Sequence, residues 1–272
     1  MPFDFCRISL LAVSTLLLAF TSQGQAQERR EIETDRDSFT PALTTMEQHR
    51  LMVEASYSFI DNRDVKETHS LPELLLRYGL TENLEIRFGT NYEIGGDPHA
   101  TAGGGGSFPE QPGEAGALEE ESKVLYGCKA LLTEQAGWVP QTNLLATGDT
   151  PTSGPETATR LIVAHPFGWR LSNSWEWATA TRFATGKVEE DNFTTWAPST
   201  VLRIPVGERL KAHVEYFGLF SDGQEEACSQ HFFSPGIHYL ATRDFEIGIR
   251  TGWGLNQQSP NFFSNIGFGW QY

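Results

Sequence analysis

The stretch that most constrains the fold is the last one, Asn265-Ile266-Gly267-Phe268-Gly269-Trp270-Gln271-Tyr272. Ile266, Phe268, Trp270 and Tyr272 fall on one side of an extended chain, and Gly267, Gly269 and Gln271 on the other. A final strand with one apolar face needs something to cover it. A soluble sandwich would supply a second sheet. A transmembrane β-barrel supplies lipid instead, closes on its last strand and sets aromatic residues at the interface.

The same period-two pattern recurs upstream. Leu51, Val53, Ala55, Tyr57 and Phe59 alternate with Met52, Glu54, Ser56 and Ser58. Leu84, Ile86, Phe88, Tyr92 and Ile94 oppose Glu85, Arg87 and Glu93; Leu210, Ala212, Val214 and Tyr216 oppose Lys211, His213 and Glu215. Phe245, Ile247, Ile249 and Trp253 oppose Glu246 and Arg250. Helical spacing would mix charge into each apolar face, whereas strand spacing separates them. With the weaker segments included, the chain reads as an all-β, transmembrane, antiparallel up-and-down β-barrel of about twelve strands. The spans are 50–60, 67–79, 83–94, 119–133, 137–148, 157–170, 174–185, 193–206, 209–220, 229–241, 244–255 and 261–272. Connections alternate between short ones, such as Thr81-Glu82-Asn83 and Ser172-Asn173, and longer ones, including Gly95 to Leu118, Gly148 to Glu156 and Gly186 to Asn192. That alternation assigns short turns to the periplasmic rim and long loops to the outer rim.

Composition narrows the classes. The 272 residues carry 20 Lys+Arg against 35 Asp+Glu, a net charge of -15 that argues against a nucleic-acid partner. A mean hydropathy of -0.34 excludes nothing here, because barrel strands alternate. Residues 1–26 read as a secretory signal: Arg7, an apolar run from Ile8 to Phe20, and Gly24-Gln25-Ala26 as a cleavage site. Residues 27–49 read as a periplasmic arm or plug, and 50–272 as the barrel. Cys6 leaves with the signal, and whether Cys128 and Cys228 pair stays open.

Charge must point inward in such a barrel. The inward candidates are Glu54, Arg77, Glu85, Arg87, Glu93, Lys129, Glu176, Arg182, Arg203, Lys211, Glu215, Glu246 and Arg250, with Glu73, Lys123, His213 and His238 beside them. Acids and bases nearly balance, which argues against a strongly anion-selective pore. These residues either pair across neighbouring strands or line a solute path. The negative excess falls in the stretches read as outer loops, among them Glu119, Glu120, Glu121, Asp149, Glu189, Glu190, Asp191, Asp222, Glu225 and Glu226. Such clustering predicts divalent-cation binding at that rim.

In the arm, Asp35, Arg36 and Phe39 lie far enough before the first strand to reach roughly 40 Å at about 3.3 Å per residue. That suffices to fold back into the barrel mouth. There the opposite charges of Asp35 and Arg36 would meet Glu54, Arg77 or Arg250, and Phe39 would meet Leu75 or Phe217. No catalytic motif stands out: Gly-x-Ser-x-Gly and His-Glu-x-x-His are both absent from the sequence. Ser229 and His231 share a strand face about 7 Å apart. The expectation is a non-enzyme without cofactors.

Three stretches carry a family resemblance. They are Thr34-Asp35-Arg36 with Phe39-Thr40 and Leu51-Met52-Val53-Glu54; Leu76 to Arg87; and Gly252 to Asn256 followed by Asn261 to Tyr272. The chain resembles the outer-membrane proteins of the MetA pathway of phenol degradation, departing from them at Asp37 and at Gln271-Tyr272. The resemblance implies an outer-membrane β-barrel in contact with lipid and, loosely, passage of small aromatic molecules. It supplies no site residues. The C-terminal strand is also similar to those read by the barrel-assembly machinery. The expected role is passive passage of a small, aromatic or hydrophobic solute. The alternatives are a structural or adhesive surface barrel with a closed lumen, and a lipid-acting barrel enzyme.

Overall fold

Twelve strands follow one another in chain order: β1 Leu51–Asp61, β2 Thr68–Thr81, β3 Leu84–Gly95, β4 Glu119–Thr133, β5 Gln141–Ser153, β6 Arg160–Arg170, β7 Glu176–Val188, β8 Asp191–Pro205, β9 Leu210–Asp222, β10 Ser229–Thr242, β11 Phe245–Gly254 and β12 Phe262–Gln271. Each pairs antiparallel with its sequence neighbour, and β1 pairs with β12 from Met52↔Gln271 to Asp61↔Phe262, so the sheet closes into a barrel. This computed structural model describes residues 30–36, 38–63, 66–96, 119–154, 158–171, 174–188, 191–222 and 229–272. The expected signal segment, Asp37, Cys228, Glu189, Glu190, Glu225 and Glu226 lie outside them. Ile32–Tyr272 forms one compact unit.

Alternation sets the two faces. On β3, Ile86, Phe88 and Tyr92 are exposed while Glu85, Arg87 and Glu93 are buried. Large apolar side chains point outward all around the barrel, from Leu161 and Phe183 to Ile249, Ile266 and Trp270. This face suits lipid, where a charge at mid-depth would cost about 2–4 kcal/mol. On β2 the alternation slips. Leu71 and Pro72 are both exposed in succession, and the register with β3 shifts between Ser70 and Leu74. Proline cannot donate to the ladder, so it sits at this irregularity. The slip moves the inward set from Thr68 and Ser70 to Glu73, Leu75 and Arg77.

Several expected boundaries and loops need correction. Strand β4 spans the expected 119–133, so Glu119, Glu120 and Glu121 lie in its ladder opposite Gly95, Ile94 and Glu93, and not in the outer loops with which they were also counted. Glu121 is buried with Lys123 Nζ 3.1 Å away. Asp149 is also a strand residue, held inward in β5 by Arg160 at 3.1 Å. Strands β7 and β8 run on to the Val188↔Asp191 pair, and Asp222 ends β9. The ladder continues wherever partners remain in register, whatever the charge of the side chains. Strand β5 starts at Gln141, later than expected, because Ala136 and Val139 pair across a tight turn that holds Trp138 outward, 94% exposed. Of the acidic residues on which cation binding rested, Glu121 and Asp149 thus face inward in ion pairs, and Glu189, Glu190, Glu225 and Glu226 lie outside the described residues. Among the described residues, no group of three His, Cys, Asp or Glu could hold a metal ion.

Candidate functional site

The interior is occupied by the chain itself. Residues 32–46 leave the rim that carries the short turns, where Ile32 N donates to Arg243 O at 3.0 Å. They return to that rim, where Met46 N donates to Glu85 at 2.8 Å and His49 N to Gly79 O at 2.8 Å. Between these points Asp35, Ser38, Phe39, Thr40, Ala42 and Leu43 are buried. The segment forms no strand. Its bonds go to inward side chains of β1 to β5, β7 to β9 and β11, so its buried backbone groups find partners in the wall. Ala42 N donates to Asp35 Oδ1 at 2.8 Å and closes the loop on itself.

One cluster gathers on Asp35. Arg77 and Arg87 stand directly opposite each other on β2 and β3, a like-charge pair that would repel. The Asp35 carboxylate is set between them: Arg77 Nε lies 3.8 Å away, Arg87 Nη2 donates to it, and Lys129 Nζ from β4 lies at 3.3 Å. Glu85 takes Arg77 through both its oxygens at 3.0 Å, and Glu54 takes the third nitrogen at 3.0 Å. Glu54 also accepts the Asp35 and Arg36 amides at 3.0 and 3.1 Å. Burial alone would raise the Asp35 carboxyl, but Arg77, Lys129, Arg87 and the Ala42 amide hold it well below the usual carboxylate range. Arg36 turns the other way, to Glu73 and Ser56, and Asn265 Nδ2 completes that group at 3.0 Å from Glu73.

A second cluster surrounds the tip. Glu215 on β9 accepts the Phe39 amide at 2.8 Å, the Thr40 amide at 2.7 Å and the Thr40 hydroxyl at 2.7 Å. Arg203 donates to Ser38 Oγ at 2.5 Å and to Thr40 O at 2.9 Å, and Arg182 donates to Phe39 O. The Phe39 ring stacks on Phe217, with centroids 4.4 Å apart and planes 8° apart, while the Arg182 guanidinium covers its other face at 4.1 Å. Phe217 stacks in turn on Phe232 at 4.7 Å, and Ile60, Ile162, Leu219 and Phe263 join the same apolar layer. Gly252 leaves the room this layer needs, since a Cβ there would run into the Phe263 ring. Below it, Gly269 seats the inserted segment, because a Cβ there would run into Thr34 Cγ2.

Of the expected inward residues, Glu54, Arg77, Glu85, Arg87, Glu93, Lys129, Glu176, Arg182, Arg203, Glu215, Glu246 and Arg250 are all buried, and Lys211 is half-buried. The structure brings Arg77, Arg87, Lys129, Glu54 and Glu85 together on Asp35. Glu176 pairs with Arg203 at 2.8 Å, Arg250 with Glu215 at 3.5 Å, and Glu246 accepts from Thr34 at 2.9 Å. Arg250, an expected partner of the arm's charges, pairs with Glu215; Leu75, an expected neighbour of Phe39, is absent from its apolar layer. Sequence reasoning missed Glu121, Asp149 and Arg160 as inward residues. Their alternation with Lys123 and Ile162 was the available signal. Outside the barrel, Ser229 Oγ lies 3.4 Å from His231 Nε2, and His231 Nδ1 faces the Tyr216 hydroxyl at 2.7 Å, where a catalytic triad would place a carboxylate. Cys128 is a free thiol.

Over residues 34–272 the sequence matches the family described as "Putative MetA-pathway of phenol degradation". The chain belongs to this family. Among curated proteins, none matches the sequence. Among solved structures, the translocator domain of the autotransporter NalP from Neisseria meningitidis is similar at a TM-score of 0.51 and 7% identity, over 98% of this chain and 95% of that one. The NanC porin is similar at a TM-score of 0.50 and 10% identity, over 81% of this chain and 98% of that one. At such identities the likeness concerns the fold alone, and that fold is the outer-membrane β-barrel. This family member is thus a bacterial outer-membrane protein whose apolar face contacts lipid.

Proposed function

We propose that this protein is a gated conduit for a small aromatic or hydrophobic solute, with residues 32–46 as its periplasmic-side plug. One observation carries the reading: the wall's buried charges are satisfied by the inserted segment as much as by each other. Asp35 takes three wall cations, Arg36 takes Glu73, and Glu215 takes three donors from Phe39 and Thr40. A permanent core would bury apolar side chains and avoid the desolvation cost of so many ions. A removable segment held by polar bonds leaves behind a wall that water can solvate. The apolar layer of Phe217, Phe232 and Phe263 above the plug suits an aromatic solute, as does the family description. The role is passage without chemistry, and the C-terminal strand pattern supports delivery to the membrane through the assembly machinery.

The test is a reversible lock. Thr40 Oγ1 lies 2.9 Å from Ser199 Oγ, so Thr40→Cys with Ser199→Cys, in a background of Cys128→Ser and Cys228→Ser, would tie the segment to β8 by a disulfide. Phenol influx into vesicles holding the variant is expected to be blocked when oxidised and restored on reduction. Equal influx in the two states refutes the plug. A closed structural barrel is the second reading, favoured by the burial of inward residues from Met52 to Gln230; it predicts no influx in either state and no steady conductance.

A further inference from the structure

We infer that the slot now filled by the Phe39 ring is the solute's own binding site, and that the plug holds it by imitating the solute. The inference rests on the conduit reading and goes beyond it by naming a site, a ligand chemistry and the means of opening. Phe39 is the only aromatic side chain on the inserted segment, residues 32–46. It lies flat between two partners that belong to the wall, the Phe217 ring and the Arg182 guanidinium. Both recognise any flat π-system of about one ring: one by stacking, the other by cation–π attraction. Glu215 stands beside the slot and accepts three hydrogen bonds from the two residues Phe39 and Thr40. Arg250 Nη1 lies 3.5 Å from Glu215 and would remain beside it once the plug withdraws. The vacated site therefore offers a planar slot with a carboxylate acceptor at its edge. Its complement is a single aromatic ring carrying a hydroxyl or amino donor. A saturated ring lacks the π-face, and an aromatic ring without a donor leaves Glu215 unsatisfied. Because solute and Phe39 need the same space, each excludes the other. Solute entering from the apolar layer above then displaces the tip.

The experiment reads displacement, so it is independent of influx. Ser38 is buried at the tip, and Ser38→Cys in the background of Cys128→Ser and Cys228→Ser places a thiol there. A hydrophilic maleimide is applied to the detergent-folded barrel, whose integrity is checked by heat-modifiable migration. Labelling is expected to be slow without ligand and to rise saturably with phenol, by about tenfold or more at saturation. Cyclohexanol and toluene should leave it near the starting rate. Adding F39A should raise the labelling rate without phenol, which shows that the assay responds to a loosened tip. Adding Glu215→Gln should remove the preference for phenol over toluene. If F39A raises labelling but phenol does not, or if cyclohexanol acts as phenol does, the shared-slot inference is overturned even where phenol influx persists. If phenol raises labelling while the locked and reduced forms show equal influx, the slot stands and the conduit falls.

Discussion

Replacing Asp35 by Asn keeps the side chain's shape and removes its charge. In the wild-type cluster three cations, Arg77, Arg87 and Lys129, meet three carboxylates, Asp35, Glu54 and Glu85. The variant leaves three against two, with one positive charge buried and uncompensated. Removing one partner of a buried ion pair costs about 3–5 kcal/mol, or roughly 150- to 5,000-fold in an equilibrium constant. Asp35 lies on the inserted segment, so the cost falls on docking of that segment while the strand ladder stays intact. Hydrogen exchange in detergent reads the two separately. Amides of residues 32–46 should lose protection by two to three orders of magnitude or more, and amides in β1 to β12 should hold theirs. Unchanged protection of the segment in Asp35→Asn would refute the idea that this cluster holds it in place. The pH dependence follows from the same carboxyl. Its folded value is depressed, so its stabilisation is fully present above the ordinary aspartate range near about 4 and is lost as pH falls below it. Wild-type docking should weaken on acidification with about one proton more of slope than Asp35→Asn.

Three further outcomes are expected. Gly269→Ala drives a Cβ into Thr34 Cγ2, so protease should cut the segment faster while the folded barrel still migrates as such on an unheated gel. Ile249→Arg puts a charge on the outward face of β11, where Ile249 is 51% exposed, and urea titration in lipid vesicles should show a loss of about 2–4 kcal/mol. Arg160→Gln orphans the buried Asp149 on the neighbouring strand and should cost about 3 kcal/mol in the same titration, more than the same change at the exposed Arg170.

The wall was legible because lipid imposes a strict rule on it. Strands facing lipid must largely alternate, and a charge such as Arg87 has only the interior to go to, so about twelve strands and most of their faces could be read from period two together with the connection lengths. Strand ends were less legible. Charge reads as loop at Asp149, yet a β-ladder near the rim continues as long as its partner does, with Asp149 turned inward to Arg160. The inserted segment was visible only as charge and one aromatic residue without periodicity. Its reach allowed entry into the barrel, but a segment with no repeat carries no register. The sequence could name Asp35 and Arg77 as complementary; the convergence of Arg87 and Lys129 on the same carboxylate depends on the β2–β3 and β3–β4 registers.

The polarity of the segment bears on how it could leave. An apolar insert held by an apolar wall would leave a dry cavity, and the packing energy given up would count in full. Here the bonds that break on withdrawal are mostly ion pairs and hydrogen bonds: Asp35 with its three cations, Arg36 with Glu73, Arg203 and Glu215 with the tip. Water entering behind the segment solvates the same groups. Ion pairs that are strong when buried are worth only about 0–1 kcal/mol once wet. Opening thus exchanges bonds to the segment for bonds to water, and the wall's own ladder, closed by β1 on β12, takes no part in the exchange. The exceptions are apolar contacts that water cannot replace: Ile32 and Met46 with Met52 and Leu240, Leu43 with Ala178 and Val201, and the Phe39 ring on Phe217. Of these apolar contacts, the Phe39 stack is the one that an aromatic solute entering the same slot can offset.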